Sequence, residues 1–358
     1  MRLKVGIVGA GFGRAFAKTF AYHSDCDMVA ICDLDERRAK GAAEDCGAKK
    51  VLTNYEDLLK TDVDVVGVFT PAPLHVRHAV AALEAGKHVL SAVPAAMTLD
   101  ECRLLIDTVK RMGLKYMMAE TSCYYPEVLY VKELAEKGEM GDIFYCESDY
   151  FHDMTRSLWR TPEGRATWRM GFPPFNYVTH NSSGIILVTG QRMVEVTAYG
   201  WEWGDQPPEW MKGYGNPCTL EVGLFRLSGG TVAKIGLCWR VERPEIVRFA
   251  FYGTKRSFEA ANTPWEKDKI MTGEQITALV PRLPVERLHP SLINEGLMRG
   301  HKGSHPFIVS DFVKSILNDT RPPIDVYEAA AYTAPGICAH QSALQHRTIK
   351  IPDFGREN

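Results

Sequence analysis

Three glycines at alternate positions, Gly9, Gly11 and Gly13, and an aspartate 24 residues beyond the first, Asp33, make a set that can hold a phosphate ester and a ribose. Gly9 would allow a tight turn after the apolar run LKVGIV (3–8). Gly11, with Phe12 beside it, would let a pyrophosphate approach the backbone where the following helix presents unpaired N–H groups. The Asp33 carboxylate could accept hydrogen bonds from an adenosine ribose diol and would repel a 2′-phosphate, which favours NAD over NADP. Arg37 and Arg38 stand close enough in sequence to keep NADP open. The pattern departs from G-x-G-x-x-G at its third glycine, since position 14 is Arg14 and Gly13 precedes it. The packing of helix on strand must therefore differ locally. A plain strand–helix turn that binds nothing is the competing reading.

Other residues able to do chemistry are scattered. Residues 88–98 read HVLSAVPAAMT, the end of a strand running into a helix, and no side chain between His88 and Asp100 titrates in the ordinary range. Glu120 ends the last strand of the same region, well placed for a contact with nicotinamide or substrate. His152 next to Asp153, and His301 in the run Gly300-His301-Lys302-Gly303-Ser304-His305, are further ionisable candidates at a substrate. A His–Asp neighbour pair is more often a surface pair, and His301 could equally be exposed and inert. Aromatic residues concentrate between 144 and 210; some, Trp159 among them, could stack on sugar C–H faces, while most would be core or subunit interface.

The elements that must position these groups follow from periodicity. Strands are expected at 3–8, 28–32, 63–69, 88–90 and 115–119, and helices after Gly13, from Glu36 to Gly47, over 75–85 and from a capping box at Thr98-Leu99-Asp100-Glu101. Such alternation means a parallel sheet with helices on both faces. A helix at 126–137 precedes long alternating stretches at 142–151, 193–203, 219–242 and 246–254. Gly229-Gly230 is a signal for a two-residue hairpin. Helices return at about 305–318 and 326–344. The fold class expected is α/β: an N-terminal Rossmann dinucleotide-binding domain over 1–121, then an α+β domain over 122–358, for substrate and oligomerisation, with a large open, mostly antiparallel sheet. One face of that sheet would need helices or another subunit to cover it.

Composition narrows the rest. The 358 residues are 45% apolar and 24% charged, with a formal net charge of −2, so nothing biases the chain toward nucleic acid or anionic membrane. The basic run Glu36-Arg37-Arg38 reads as one face of a solvated helix. Nine cysteines contain no C-x-x-C pair, which argues against a zinc site or a disulfide framework and fits reduced thiols in the cytoplasm. The first strand starts too early for a signal peptide, and no apolar run is long enough to span a membrane.

Taken together these stretches resemble the Gfo/Idh/MocA oxidoreductases, which act mostly on sugars and cyclitols. The resemblance rests on VGIVGAGFG and AICDLDERRA. It continues through VFTPAPLHVRHAVAALEAGKHVL, which carries the family's T-P-x-x-x-H segment as Thr70, Pro71 and His75. MMAETSCYYPEV and GEMGDIF complete it at the crossover between domains. It implies that Thr70, Pro71, His75, Val93, Pro94 and Glu120 border the cofactor. Typical members end the strand before the capping box in Glu-Lys-Pro, and the lysine supports hydride and proton transfer; here the triplet is Ala92-Val93-Pro94, with Val93 in the lysine's place. The family's Asp-x-x-x-His signature maps onto Asn176 and His180, with His180 ten residues before Gly190. The resemblance thus makes His180 the general acid/base, keeps Asn176 as a substrate contact, and leaves two of three family catalytic groups replaced.

The NAD-dependent α-N-acetylgalactosaminidase branch is similar in these departures. It carries Val for the lysine and a Tyr-Pro-Thr-His motif, matched here by Tyr177-Val178-Thr179-His180; Ala92 replaces that branch's glutamate. Members oxidise a sugar hydroxyl at C3, eliminate the aglycone, add water and return the hydride. A histidine with an ordinary pKa near 6.5 suits removal of an alcohol proton as hydride leaves, and Tyr177 could share the proton or hold the hydroxyl. The expected function is an NAD(H)-dependent oxidoreductase acting on a hydroxyl of a sugar, glycoside or cyclitol, with C3 of a glycoside as one position. The alternatives are a redox-neutral glycoside hydrolase and a non-catalytic dinucleotide-binding regulator. No metal is expected, and a homodimer or homotetramer through the sheet face is implied by the resemblance.

Overall fold

The computed structural model describes residues 2–155, 158–263 and 265–355. The chain divides into two compact units. The first takes the chain up to Tyr125, then Leu283–Ala330 and the end from Phe354; the second takes Pro126–Arg282 and Ala331–Asp353.

The first unit is built on six parallel strands, β1 (Leu3–Val8), β2 (Cys26–Cys32), β3 (Lys50–Leu52), β4 (Val65–Val68), β5 (His88–Ser91) and β6 (Tyr116–Met118), in the order β3-β2-β1-β4-β5-β6. The central strands are continuous apolar runs because both sheet faces are covered; all four residues of β4 are buried. Helices α1 (Gly13–Tyr22), α2 (Glu36–Cys46), α3 (Tyr55–Leu59), α4 (His75–Glu84) and α5 (Leu99–Met112) fill the connections. The capping box at α5 is present in both directions, with Thr98 accepting from the Glu101 amide and Glu101 reaching back to the Thr98 amide. The order reverses between β1 and β4, which opens a crevice at the carboxyl ends of the strands.

Residues 283–330, expected in the second domain, pack with this first unit. Helix periodicity marks a buried face but not the surface that buries it. His305 lays its ring 4.4 Å from that of Phe16 on α1, Tyr124 donates its hydroxyl to Asp311 at 2.9 Å, and the Met118 amide donates to the Ile324 carbonyl at 3.0 Å.

After α6 (Pro126–Glu136), the second unit holds a nine-stranded sheet of β7 (Ile143–Phe151), β8 (Met193–Glu202), β9 (Cys218–Leu227), β10 (Val232–Cys238), β11 (Ile246–Gly253), β12 (Ser257–Glu259), β13 (Asp268–Thr272), β14 (Gln275–Leu279) and β15 (Ile349–Lys350). The order is β14-β13-β12-β11-β7-β10-β9-β8-β15, with β7 and β10 parallel and the other pairs antiparallel. The Gly229-Gly230 hairpin forms with a three-residue loop rather than two, because the Leu227 amide closes on the Thr231 carbonyl. On β9, Thr219, Glu221, Gly223, Phe225 and Leu227 turn inward while Leu224 and Arg226 face out. Helix α7 (Thr179–Thr189) covers the inward face: Asn181 donates to Ser148 on β7, and Gly184 lies where a Cβ would meet Phe249 on β11 at 2.5 Å. On the other face Tyr199, Trp201 and Leu224 are exposed. Three further helices are α8 (Trp210–Tyr214), α9 (His305–Leu317) and α10 (Val326–Gln345). All nine cysteines are buried thiols, and no helix among the described residues is long and apolar enough to cross a membrane.

Candidate active site

In the first unit the glycine turn has the form its sequence suggested, with one substitution of roles. Gly9 sits at φ +89°, and a Cβ there would lie 2.4 Å from the Phe69 carbonyl oxygen. Gly13 does the packing that a third glycine at position 14 would do: a Cβ on it would meet Ile7 at 2.9 Å and Phe69 at 3.1 Å. Arg14 is thereby free to point outward and pair with Asp45 at 2.7 Å. A Cβ on Gly11 would meet nothing within 4 Å, so the backbone at the start of α1 faces open space. The turn therefore fits a pyrophosphate at a helix N-terminus, and Gly11 is the residue whose missing side chain leaves room for it. Asp33 is buried at the end of β2, where Oδ2 accepts from the Ala10 amide at 2.8 Å and Oδ1 from the Asp35 amide at 2.9 Å. An ionised carboxylate has about four acceptor positions, so beyond the two amides and a nearby Arg38 guanidinium, room remains to accept from a ribose hydroxyl. Arg38 reaches to 3.5 Å of the same carboxylate, neutralising the cation that would otherwise invite a 2′-phosphate.

Beyond β4 and β5 the expected cofactor-bordering residues come together differently from one another. Val93 and Pro94 are buried, Pro71 starts a short 3-10 turn, and the Thr70 hydroxyl lies 3.0 Å from His78 Nδ1. His75 is buried with both ring nitrogens on main-chain carbonyls. Glu120 is wholly buried, and its Oε1 caps the following turn by accepting from the Ser122 amide at 2.9 Å. His301 belongs to this unit. Its ring stands edge-on to Phe12 at 5.2 Å and 4.9 Å from His305, whose pKa burial and His301 push down to about 3. Phe12, two-fifths exposed, is thus the outer member of an aromatic group with Phe16, Phe69, His301 and His305.

In the second unit a different group forms around Tyr150 on β7. Tyr177 ends a one-turn 3-10 segment, Pro174–Tyr177, and His180 opens α7 one turn later, so the two rings meet edge to face at 5.0 Å. Tyr150 lies 6.1 Å from Tyr177 and 5.4 Å from His180. Its hydroxyl is 3.0 Å from His152 Nδ1 and donates to Glu245 at 3.2 Å. Burial, then Arg169 and His180, push the His152 pKa down against the pull of Glu245 and Asp153. Arg169 spreads its guanidinium over Trp168 at 4.3 Å and over Tyr177 at 5.4 Å. Behind them Trp239 donates its indole N–H to the Phe172 carbonyl at 3.1 Å, and its ring backs both tyrosines. Asn176 is half-buried in the same turn.

The structure therefore gathers His180, Tyr177 and His152, with Asn176 on the same turn. Trp159 sits elsewhere, 4% exposed in a cluster with Trp203 and Trp210 at 5.6 and 4.6 Å, which makes it core rather than a sugar platform. Sequence reasoning missed Arg169, Tyr150 and Glu245. Arg169 stands next to a tryptophan eight residues before Tyr177, but nothing in that spacing says its side chain turns back over the phenol. The cluster offers two phenols, two imidazoles and one fixed cation, suited to taking a proton from a hydroxyl and steadying the resulting negative charge.

Comparison with known proteins agrees with this architecture. The profile described as "Oxidoreductase family, NAD-binding Rossmann fold" matches residues 3–120, the Gfo/Idh/MocA C-terminal domain matches 128–259, and the glycosyl hydrolase 109 C-terminal domain matches 287–358. The chain is 27% identical to a "Glycosyl hydrolase family 109 protein" of Solibacter usitatus, over 99% of this chain and 88% of that protein. It is 30% identical to an "Alpha-N-acetylgalactosaminidase" of Shewanella oneidensis over 47% of this chain, and the matched stretch spans only 39% of that protein. A solved levoglucosan dehydrogenase in complex with NADH superposes with a TM-score of 0.84 at 21% identity, over 99% of this chain and 100% of that one, a likeness of fold.

Proposed function

The chain belongs to the Gfo/Idh/MocA oxidoreductase family, and on that premise we propose that it is an NAD(H)-dependent enzyme acting on a hydroxyl group of a sugar, glycoside or cyclitol. The observation that carries the reading is the gathering of Tyr177, His180, His152 and Arg169 in the second unit, in a chain whose first unit leaves open space at Gly11, where the first helix begins. When bound, NAD supplies the acceptor for a hydride. The chain's own residues handle the remaining proton and charge. His180 takes the proton from the substrate hydroxyl, directly or through the Tyr177 hydroxyl, which passes its own proton on as it receives the substrate's. Arg169 lies over the Tyr177 ring, a fixed positive charge beside the place where negative charge would develop on the substrate oxygen. Asn176 on the same turn is the candidate to orient the substrate. In this reading Val93 shapes the pocket without titrating, and Gly9, Gly11, Phe12, Gly13, Asp33, Thr70, Pro71 and Pro94 form the cofactor's surroundings.

A second reading is a redox-neutral glycoside hydrolase, in which the hydride is returned to the sugar after the aglycone has left. The match of residues 287–358 to the glycosyl hydrolase 109 C-terminal domain favours it, as does Val93 in place of lysine. One experiment separates the two. The freshly purified protein is denatured and any released nicotinamide cofactor identified by mass spectrometry. Intact protein is then incubated with nitrophenyl glycosides without added NAD+, and separately with sugars and cyclitols plus NAD+. Retained NAD with nitrophenol release supports the hydrolase; NADH formed in proportion to product supports the dehydrogenase; neither activity on any substrate overturns both.

The exposed Tyr199, Trp201 and Leu224 on the outer sheet face support self-association through that face, as a dimer or tetramer, in a cytoplasmic setting consistent with nine reduced thiols. Sedimentation of the wild type against a Trp201→Lys, Leu224→Glu variant tests it.

A further inference from the structure

His75 begins α4 at the carboxyl ends of β4 and β5, and 2% of its surface is exposed. Nδ1 lies 2.8 Å from the Pro94 carbonyl oxygen, and Nε2 lies 2.7 Å from the Thr70 carbonyl oxygen. A carbonyl oxygen only accepts. A neutral imidazole has one N–H and one lone pair, so it can satisfy one of these contacts and must set its lone pair against an oxygen at the other. Buried lone pairs facing each other at under 3 Å are repulsive, and flipping the ring is no remedy, since it would put Cδ2 and Cε1 in the nitrogens' places, closer to the two oxygens than the roughly 3.3–3.6 Å of a C–H···O contact. The doubly protonated ring satisfies both carbonyls with charge-assisted bonds, which are roughly twice as strong as neutral ones.

We infer that His75 is held as an imidazolium between the Thr70 and Pro94 carbonyls, a fixed positive charge that clamps the turn after β4 to the turn after β5. It is a positioning residue: both nitrogens are committed to the main chain. The charge bonds to residue 94, next to position 93, where this chain has valine in place of a cationic side chain.

The two segments that supply the carbonyls, Phe69 to Leu74 and Ala92 to Met97, contain no titratable side chain. On its own helix, His78 is held down to about 4, by burial first and then by the charges of Arg77 and His75, so of the two imidazoles it is the one that stays neutral. Glu120, on the neighbouring β6 end, is the carboxylate of this sheet edge and gives one oxygen to Ser122. Burial alone would discharge His75; two carbonyls at hydrogen-bonding distance oppose that.

The inference is independent of the proposed reaction and is read without substrate. The full-length protein is labelled with 15N-histidine, and long-range proton–nitrogen correlations report whether each ring nitrogen carries a proton. The His75 signals are those absent from His75→Gln. The expected result is two protonated nitrogens from about pH 6 to about pH 8, well above the ordinary histidine value. One bare nitrogen at about pH 7.5 overturns the inference. If His75→Gln does not fold, hydrogen–deuterium exchange at the ring C2 position of the wild type, read by mass spectrometry in the peptide containing His75, gives the same answer. A midpoint above about pH 8 supports a held charge, and one at or below about pH 6.5 refutes it.

Discussion

Gly336 of α10 lies against the main-chain carbonyl of Phe175, so closely that a Cβ would stand 1.9 Å from the oxygen. The helix is thus seated directly on the turn that carries Tyr177. Glu221, wholly buried, holds the same turn from the sheet side by accepting the Phe175 amide at 2.7 Å and pairing with His340 Nδ1 at 2.6 Å. Gly336→Ala should displace the turn and cost about 1–3 kcal/mol by overpacking. Urea denaturation measures the loss, and sugar-dependent turnover should fall with it.

Gly9 and Gly11 should separate folding from binding. Alanine at Gly9 forces a positive φ and a clash with backbone, for a loss of more than about 1 kcal/mol. Alanine at Gly11 enters open space. It should leave stability within about 0.5 kcal/mol, as for surface substitutions, yet weaken NADH binding at least tenfold in a fluorescence titration. Equal NADH affinity in Gly11→Ala and wild type would remove the pyrophosphate from this turn.

Asp33→Ala should damage both properties. It strips acceptors from the Ala10 and Asp35 amides, and a buried unsatisfied donor costs about 1–3 kcal/mol. It also removes the group that faces a ribose diol, so discrimination of NAD against NADP should shrink. Parallel titrations with the two cofactors would show it.

Arg169→Met keeps a long apolar stem over Trp168 and Tyr177 but removes the charge. Because Arg169 lowers the His152 pKa, that pKa should rise in the variant, in an NMR titration of the histidines. Turnover should fall by about tenfold or more, the range typical for loss of one charge-stabilising group. Tyr177→Phe should lower turnover with little change in melting temperature.

Stability should fall as pH falls below about 6.5. His23 and His78 are pushed down to about 4 and His305 to about 3, in each case chiefly by burial. Below the unfolded value the denatured chain takes up protons that these folded sites refuse, so unfolding is favoured. The loss begins near pH 6.5 and ends only below the folded values. Each site contributes on the order of 1–3 kcal/mol by pH 4. Guanidinium midpoints at neutral and acid pH should differ in that direction, and His78→Asn should reduce the difference.

Five of the six strands of the first unit were legible because strands covered on both faces are unbroken apolar runs, and Thr98 and Glu101 announce a helix start; β3 was not read, since it is a three-residue edge strand with no buried residue. The glycine turn was legible as well, although Gly13, not position 14, does the packing. Helix α7 was not read: THNSSGIILVT is buried almost throughout, so it has no polar face to give it a period. The strands from 257 to 279 were missed because their residues are short and mixed. His180 and Tyr177 came from a motif, whereas Tyr150, Arg169 and Glu245 meet them only through the sheet and the loop before the 3-10 turn.

The return of residues 283–330 to the first unit has a practical meaning for anyone who would cut this protein. Neither unit is a contiguous stretch of the gene. A fragment ending at residue 125 would leave Phe16 without His305, Tyr124 without Asp311 and the Met118 amide without Ile324. Expression of such a fragment should give material that clumps or is digested. A permuted chain joining 283–330 behind residue 125 through a short linker would restore the missing layer. The last third of the polypeptide must leave the ribosome before the first can be completed.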